Sequence, residues 1–268
     1  MLNKLILFFF FAGILFSPVP MVAKEALPPA LTNLEIQEHL GKKLPLDFSF
    51  TDEFGKKVQL SSYFDGKKPV ILSFVYFRCP MLCNAVLEGL AVGLKRVPLA
   101  ISDRYQVVSI SFDSRDNVHD AGAFKKKYMK RFKNREKAAK GWHFLVGDPD
   151  KVKQLADAVG FRYYYDEKID QFAHPAAVFV LSGKGTISHY LYGIKYNPVD
   201  IRLSLLKASK GHMMSTLERS LLYCYHYDPA SHRYTLNSLI LMRVAGGITV
   251  LALGLFFFVM FRKSRRKS

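Results

Sequence analysis

Hydrophobic residues fall along this chain in two patterns: charge-free runs near both ends, and shorter periodic stretches between them. In the middle, Leu46 to Phe50 alternates apolar and polar residues and predicts a strand, Asp52 to Gly55 a turn, and Val58 to Leu60 a second strand. Val70 to Phe77 is a charge-free, dominantly apolar run, the pattern of a central strand covered on both faces. Cys83 to Val97 continues as a helix, with Pro80 suited to its first turn. The order then runs strand (Tyr105 to Phe112), helix (Asp120 to Phe132), strand (Trp142 to Val146) and helix (Asp148 to Val159). A hairpin (Ala176 to Leu181, then Thr186 to Tyr192) and a helix (Pro198 to Lys210) complete it. Such alternation predicts an α/β sandwich with parallel pairing, made mixed by the hairpin. Phe124, Tyr128 and Phe132, four residues apart, read as core contacts, and the basic run from Lys125 to Lys140 as a solvated face.

The ends read differently. Lys4, the charge-free run Leu5 to Phe16 and the small residue Ala23 describe a secretory signal peptide, with an uncleaved anchor as the alternative. Val244 to Phe261 carries no charge and approaches the length needed to cross a bilayer; Arg243 before it is placed to snorkel. The dense basic tail that follows, Arg262 to Ser268, belongs on the cytoplasmic side. The organisation expected is a signal peptide over 1–23, a linker over 24–43 with a short helix from Asn33 to Leu40, and the α/β domain over 44–210. A juxtamembrane segment over 211–237, a transmembrane helix over 238–261 and a basic tail over 262–268 follow. This puts a single C-terminal span in the cell (inner) membrane and the domain on its periplasmic, extracytoplasmic side.

Composition adds charge and sulfur to that outline. The 268 residues carry 39 Lys+Arg against 22 Asp+Glu, a formal net charge of +17, which suits an anionic membrane surface or an acidic partner. With a membrane independently implied, nucleic acid is not expected as a partner. Three cysteines are too few for a disulfide framework; they leave one pair and one odd thiol.

Cys79 and Cys83 stand at the first strand-to-helix junction, separated by three residues. That position in this element order is what a thioredoxin-like fold shows. A helix N-terminus and Arg78 both favour thiolate there, so the pair suits soft-metal binding or reversible disulfide formation, with a structural disulfide as the bland alternative. His174, in Phe172-Ala173-His174-Pro175, precedes the strand that such a layout sets beside the cysteine helix, and a proline there is commonly cis. Two thiolates and an imidazole favour copper(I) and allow copper(II); a structural zinc site lacks a fourth ligand.

Phe74-Val75-Tyr76-Phe77-Arg78-Cys79-Pro80-Met81-Leu82-Cys83 resembles the metal-site motif of the SCO/SenC family. Val108 to Asp113 resembles that family's following strand, and Phe172-Ala173-His174 its histidine loop. The resemblance covers about Leu44 to Lys210. It implies a thioredoxin-like fold and copper bound through Cys79, Cys83 and His174. It also implies an apo-oxidase subunit or other copper client as partner, in assembly of a terminal respiratory (cytochrome c) oxidase. Asp113 takes the place of a supporting acidic residue. Phe77, Met81 and Asn84 depart from the usual threonine or serine, aspartate and proline, and a C-terminal helix replaces or joins the familiar N-terminal anchor.

The leading alternative is a thiol–disulfide oxidoreductase with Cys79 and Cys83 as its catalytic pair. A peroxidase is disfavoured by Tyr76 where a threonine or serine would stand three positions before the reactive cysteine. A tethered scaffold with a permanent Cys79–Cys83 disulfide is the non-catalytic alternative. Cys224 reads as a thiol packed among aromatics; His119, His143, His189 and His232 read as surface or structural.

Overall fold

The computed structural model describes residues 34–212, 225–228, 233–236 and 238–265. Its centre is strand β3 (Val70–Val75), in which all six residues are buried. Such a strand needs partners on both edges. The parallel β4 (Gln106–Ser111) lies on one side and the antiparallel β8 (Ala177–Leu181) on the other. Beyond them lie β5 (Trp142–Gly147), β1 (Ser49–Thr51), β2 (Lys57–Gln59) and β9 (Ile187–Tyr192). The seven-stranded order is β2-β1-β5-β4-β3-β8-β9. Pairing is parallel for β3–β4 and β4–β5 and antiparallel elsewhere, so the mixed α/β, thioredoxin-like expectation holds. The few polar groups in this core find one another: Ser73 Oγ lies 2.8 Å from Ser109 Oγ, which accepts from Trp142 Nε1 at 3.0 Å.

Helix α1 (Leu82–Arg96) buries Val86, Leu87, Leu90, Ala91 and Leu94, one face at helical spacing. Gly89 lets it lie directly against the chain at Ile194, whose carbonyl a Cβ at that position would strike. Helix α2 (Val118–Met129) starts at a capping box: Asn117 Oδ1 accepts from Asp120 N–H while Asp120 Oδ2 accepts from Asn117 N–H. Helices α4 (Pro149–Ala158) and α5 (Pro198–Ser209) each begin with proline after an Asp148 or Asn197 cap.

Two readings are corrected and two elements are added. The segment from Leu34 to Leu40 is not helical. Its amides go to tertiary acceptors, Gln37 N–H to Gly160 O and His39 N–H to the Tyr190 hydroxyl, and so are lost to any i−4 ladder. Lys125 is not solvated. It is buried, donates to Ala139 O at 2.7 Å and pairs with the buried Glu53, which also accepts from Phe144 N–H. His143 is tied to the same carboxylate at 3.5 Å and stacks on Tyr63. The basic run is also interrupted by a helix of its own, α3 (Arg135–Gly141). Finally, a small hairpin, β6 (Tyr164–Asp166) and β7 (Gln171–Ala173), stands outside the main sheet.

Towards the C-terminus, β10 (Tyr225–Asp228) pairs with β11 (Arg233–Leu236), and α6 runs over Ser238–Arg265. Side chains of α6 are described over 245–257 and at Arg262, and all of these are exposed. Among the described residues, no helix is long and apolar enough to cross a membrane. The signal segment 1–23, Met213, Met214, Cys224 and His232 lie outside the described residues.

Candidate metal centre

Strand β3 stops at Val75, and Tyr76 to Met81 form an irregular loop before α1 opens at Leu82. Pro80 therefore stands ahead of the helix rather than in its first turn. Met81, at the N-cap position, makes no side-chain cap. The Cys79 sulfur supplies it instead, accepting from Cys83 N–H at 3.2 Å, so a thiolate occupies one of the open donors of the helix end. The loop is pinned from several sides. Phe77 N–H and Ser111 Oγ both donate to Asp116 Oδ2 at 2.6 Å, Asn84 Nδ2 donates to Cys79 O at 2.8 Å, and Tyr76 N–H lies 3.3 Å from the Cys83 sulfur.

His174 arrives from the hairpin: Ala173 closes β7 opposite Tyr164, and His174 follows directly. Its ring is buried, with Phe112, Phe161 and Tyr76 at centroid distances of 5.3, 5.9 and 6.1 Å. Nδ1 lies 3.0 Å from Pro175 O; a carbonyl only accepts, so Nδ1 carries the proton and Nε2 turns its lone pair to the sulfurs. Nε2 is 3.3 Å from Cys83 Sγ, and the ligand atoms of Cys79, Cys83 and His174 all lie within 4.8 Å of one another. The peptide before Pro175 is trans, as are all described peptides, which corrects the expectation of a cis proline.

The two thiols are free and unlike. Hydrogen bonding from Cys83 outweighs burial and, with smaller contributions from His174 and Tyr76, holds Cys79 well below the ordinary thiol range. Burial, and then the neighbouring Cys79 sulfur, push Cys83 far up. Tyr76 is likewise pushed up, by burial and then by the neighbouring Cys79 sulfur. One thiolate and one thiol thus share the site. Arg78 is not the source of that asymmetry: it lies 3.6 Å from Asp116 and 3.8 Å from Asp120 and donates to Arg115 O.

The structure brings together all three residues singled out in the sequence and adds others. Tyr76, Asn84 and Asp116 carried no separate signal, because each acts through a contact distant in sequence or through the main chain. Asp113, expected to support the site, is held by Arg115 at 2.8 Å; the carboxylate bearing on the cysteine loop is Asp116. Arg115 also pairs with Asp170 at 2.6 Å and lies over the Tyr165 ring, so it fastens the hairpin to the loop after β4. Met81 is 75 % exposed between the cysteines, an apolar thioether at the mouth of the site.

Comparison with known proteins matches the chain to solved structures and to one family. A crystal structure of a protein from Aquifex aeolicus VF5 matches with a TM-score of 0.56 and 28 % identity, covering 65 % of this chain and 95 % of that one. An SCO1/SenC family lipoprotein from Bacillus anthracis str. Ames matches at 0.51 and 21 %, covering 63 % and 99 %. Arabidopsis thaliana ScoI, solved with copper bound, matches at 0.48 and 22 %, covering 65 % and 99 %. No curated protein sequence matches. The SCO1/SenC family pattern matches residues 37–204, well over half of the chain, and takes in both cysteines and the histidine. The chain belongs to the SCO1/SenC family.

Proposed function

We propose that this protein is a membrane-anchored, extracytoplasmic copper-binding protein that delivers copper to, or assists assembly of, a terminal respiratory oxidase. The ion is held by Cys79 Sγ, Cys83 Sγ and His174 Nε2. One observation carries the reading: two free sulfurs and an imidazole lone pair converge within 4.8 Å on a buried, hydrogen-bonded scaffold. The donor set fits the cargo, because two soft sulfurs select copper(I) and the imidazole accommodates copper(II) as well. Cys79 is already disposed to ionise, so metal displaces one proton fewer. The anchoring rests on the apolar run Val244 to Phe261, the basic tail behind it and the exposure of the apolar side chains of α6 from 245 to 257.

The test is copper binding by the reduced full-length protein, followed by X-ray absorption at the copper edge. One copper per chain with two sulfur neighbours and one nitrogen neighbour is expected, and His174→Ala should weaken binding by at least about a hundredfold while leaving the thiols oxidisable. Unchanged affinity in that variant would remove His174 from the centre. A second reading, thiol–disulfide exchange by Cys79 and Cys83, draws on the pairing of a thiolate with a buried thiol. It becomes the leading one if the reduced protein takes up no copper.

A further inference from the structure

The candidate centre sits at one pole of the sheet, where β3 and β4 end, Val75 opposite Ser111, and β8 begins. The other pole is marked by Gln106, Val70 and Leu181, which pair in turn across β4, β3 and β8. Helix α1, 15 residues long, runs between the poles and spans about 22 Å. At the far pole a groove of about 610 Å³ opens between the end of α1, the loop into β4 and the start of α3, over Val97, Leu99, Ile101, Tyr105 and Phe132. Val92 stands 44 % exposed at its lip.

Charge and the course of the chain indicate what covers this groove. Residues 95–104 and 130–140 together carry nine lysines and arginines against two acids, and all nine are exposed. Lys137 is paired with Asp103 and Arg131 with Glu88. Lys95 and Arg96 complement the helix dipole at the end of α1, but the dipole does not account for Lys133 and Lys137, which line the same apolar groove. The domain also ends at this pole. His212 O accepts from Ser188 Oγ at 2.7 Å, and neighbouring Ile187 pairs with Leu181. Residues 213–237 then lead to α6.

We propose that this pole is the domain's lipid-facing surface: its cations meet anionic headgroups, the groove takes hydrocarbon, and Cys79, Cys83 and His174 are turned away from the bilayer. The inference rests on the anchoring reading above. Tethering makes the contact intramolecular, so modest affinity suffices.

The test places the full chain in vesicles of equal phosphatidylglycerol and phosphatidylcholine, and in phosphatidylcholine alone, and follows acetylation of Lys95, Lys130 and Lys133 by an amine reagent. Exposed Lys168, on the hairpin at the opposite pole, is the internal reference. In the anionic vesicles the three lysines should react about tenfold more slowly than in the neutral ones, and high salt should abolish the difference. The triple variant Arg96→Glu, Arg104→Glu, Arg135→Glu should lose the protection, on the order of a hundredfold in surface association, and keep its copper content. Equal reactivity in both vesicles would overturn the proposal. So would equal, salt-resistant protection, which would assign the groove to a protein segment or a second copy. Carbonate extraction separates the two readings: a chain that stays inserted without protection refutes the docking pole alone. A chain stripped from both vesicle types refutes the anchor and the docking that rests on it.

Discussion

Tyr76 shows how one side chain sets the chemistry of its neighbours. Its N–H lies 3.3 Å from the Cys83 sulfur, and its hydroxyl adds to the influences that hold Cys79 down. Tyr76→Phe removes the hydroxyl and keeps the ring packing on Phe112 and Phe172. The pH midpoint of Cys79 alkylation should therefore rise. An unmoved midpoint would assign the asymmetry to Cys83 and the helix end alone. The same geometry explains why Cys79 rather than Cys83 ionises: Cys79 receives donors at the helix N-terminus, whereas Cys83 is buried inside α1.

Among the elements, the β6–β7 hairpin governs the third ligand. It pairs with no strand of the main sheet, and its link to the rest of the site runs through Arg115, which bonds Asp113 on one side and Asp170 on the other. The Asp113 carboxylate is buried, but the Arg115–Asp170 pair is exposed, and such pairs contribute about 1 kcal/mol at most. Asp170→Asn should thus lower copper affinity about fivefold and speed amide exchange across residues 164–173, with little change in global stability. If affinity and exchange both stay put, packing of Phe172 on Tyr76 and Phe112 holds the hairpin unaided.

For the whole molecule, the buried Glu53–Lys125 pair joins the turn after β1 to α2, with His143 of β5 at the same carboxylate. Burial opposes ionisation of Glu53, but hydrogen bonds from His143, Lys125 and Phe144 N–H prevail and bring its carboxyl down to about 2. A depressed folded-state value means that the carboxylate stabilises the fold above the unfolded carboxyl range, near 4.5, and that this contribution is lost as pH falls toward 2. Glu53→Gln leaves Lys125 buried without a counter-charge and should cost about 3 kcal/mol in urea unfolding at neutral pH. The variant should also lose most of the native protein's decline in stability across that acid window. A variant with undiminished stability would show that Lys125 relaxes to solvent.

The central strands, the helices capped by Asn117, Asp148 and Asn197, and the three donor residues were all legible in the amino-acid order. Their signals are local: an apolar run, the alternation of strand and helix patterns, a cysteine pair at a strand end. What escaped depends on partners far away in the chain. Leu34 to Leu40 gave up helix because Gly160 and Tyr190 accept its amides, and Lys125 left the solvated face because Glu53 lies beneath it. Sequence by itself determined which residues could bind a soft metal. Only the tertiary structure decided that they meet, which sulfur ionises and which pole of the domain carries the site, because those depend on distances and burial that exist once the sheet has closed.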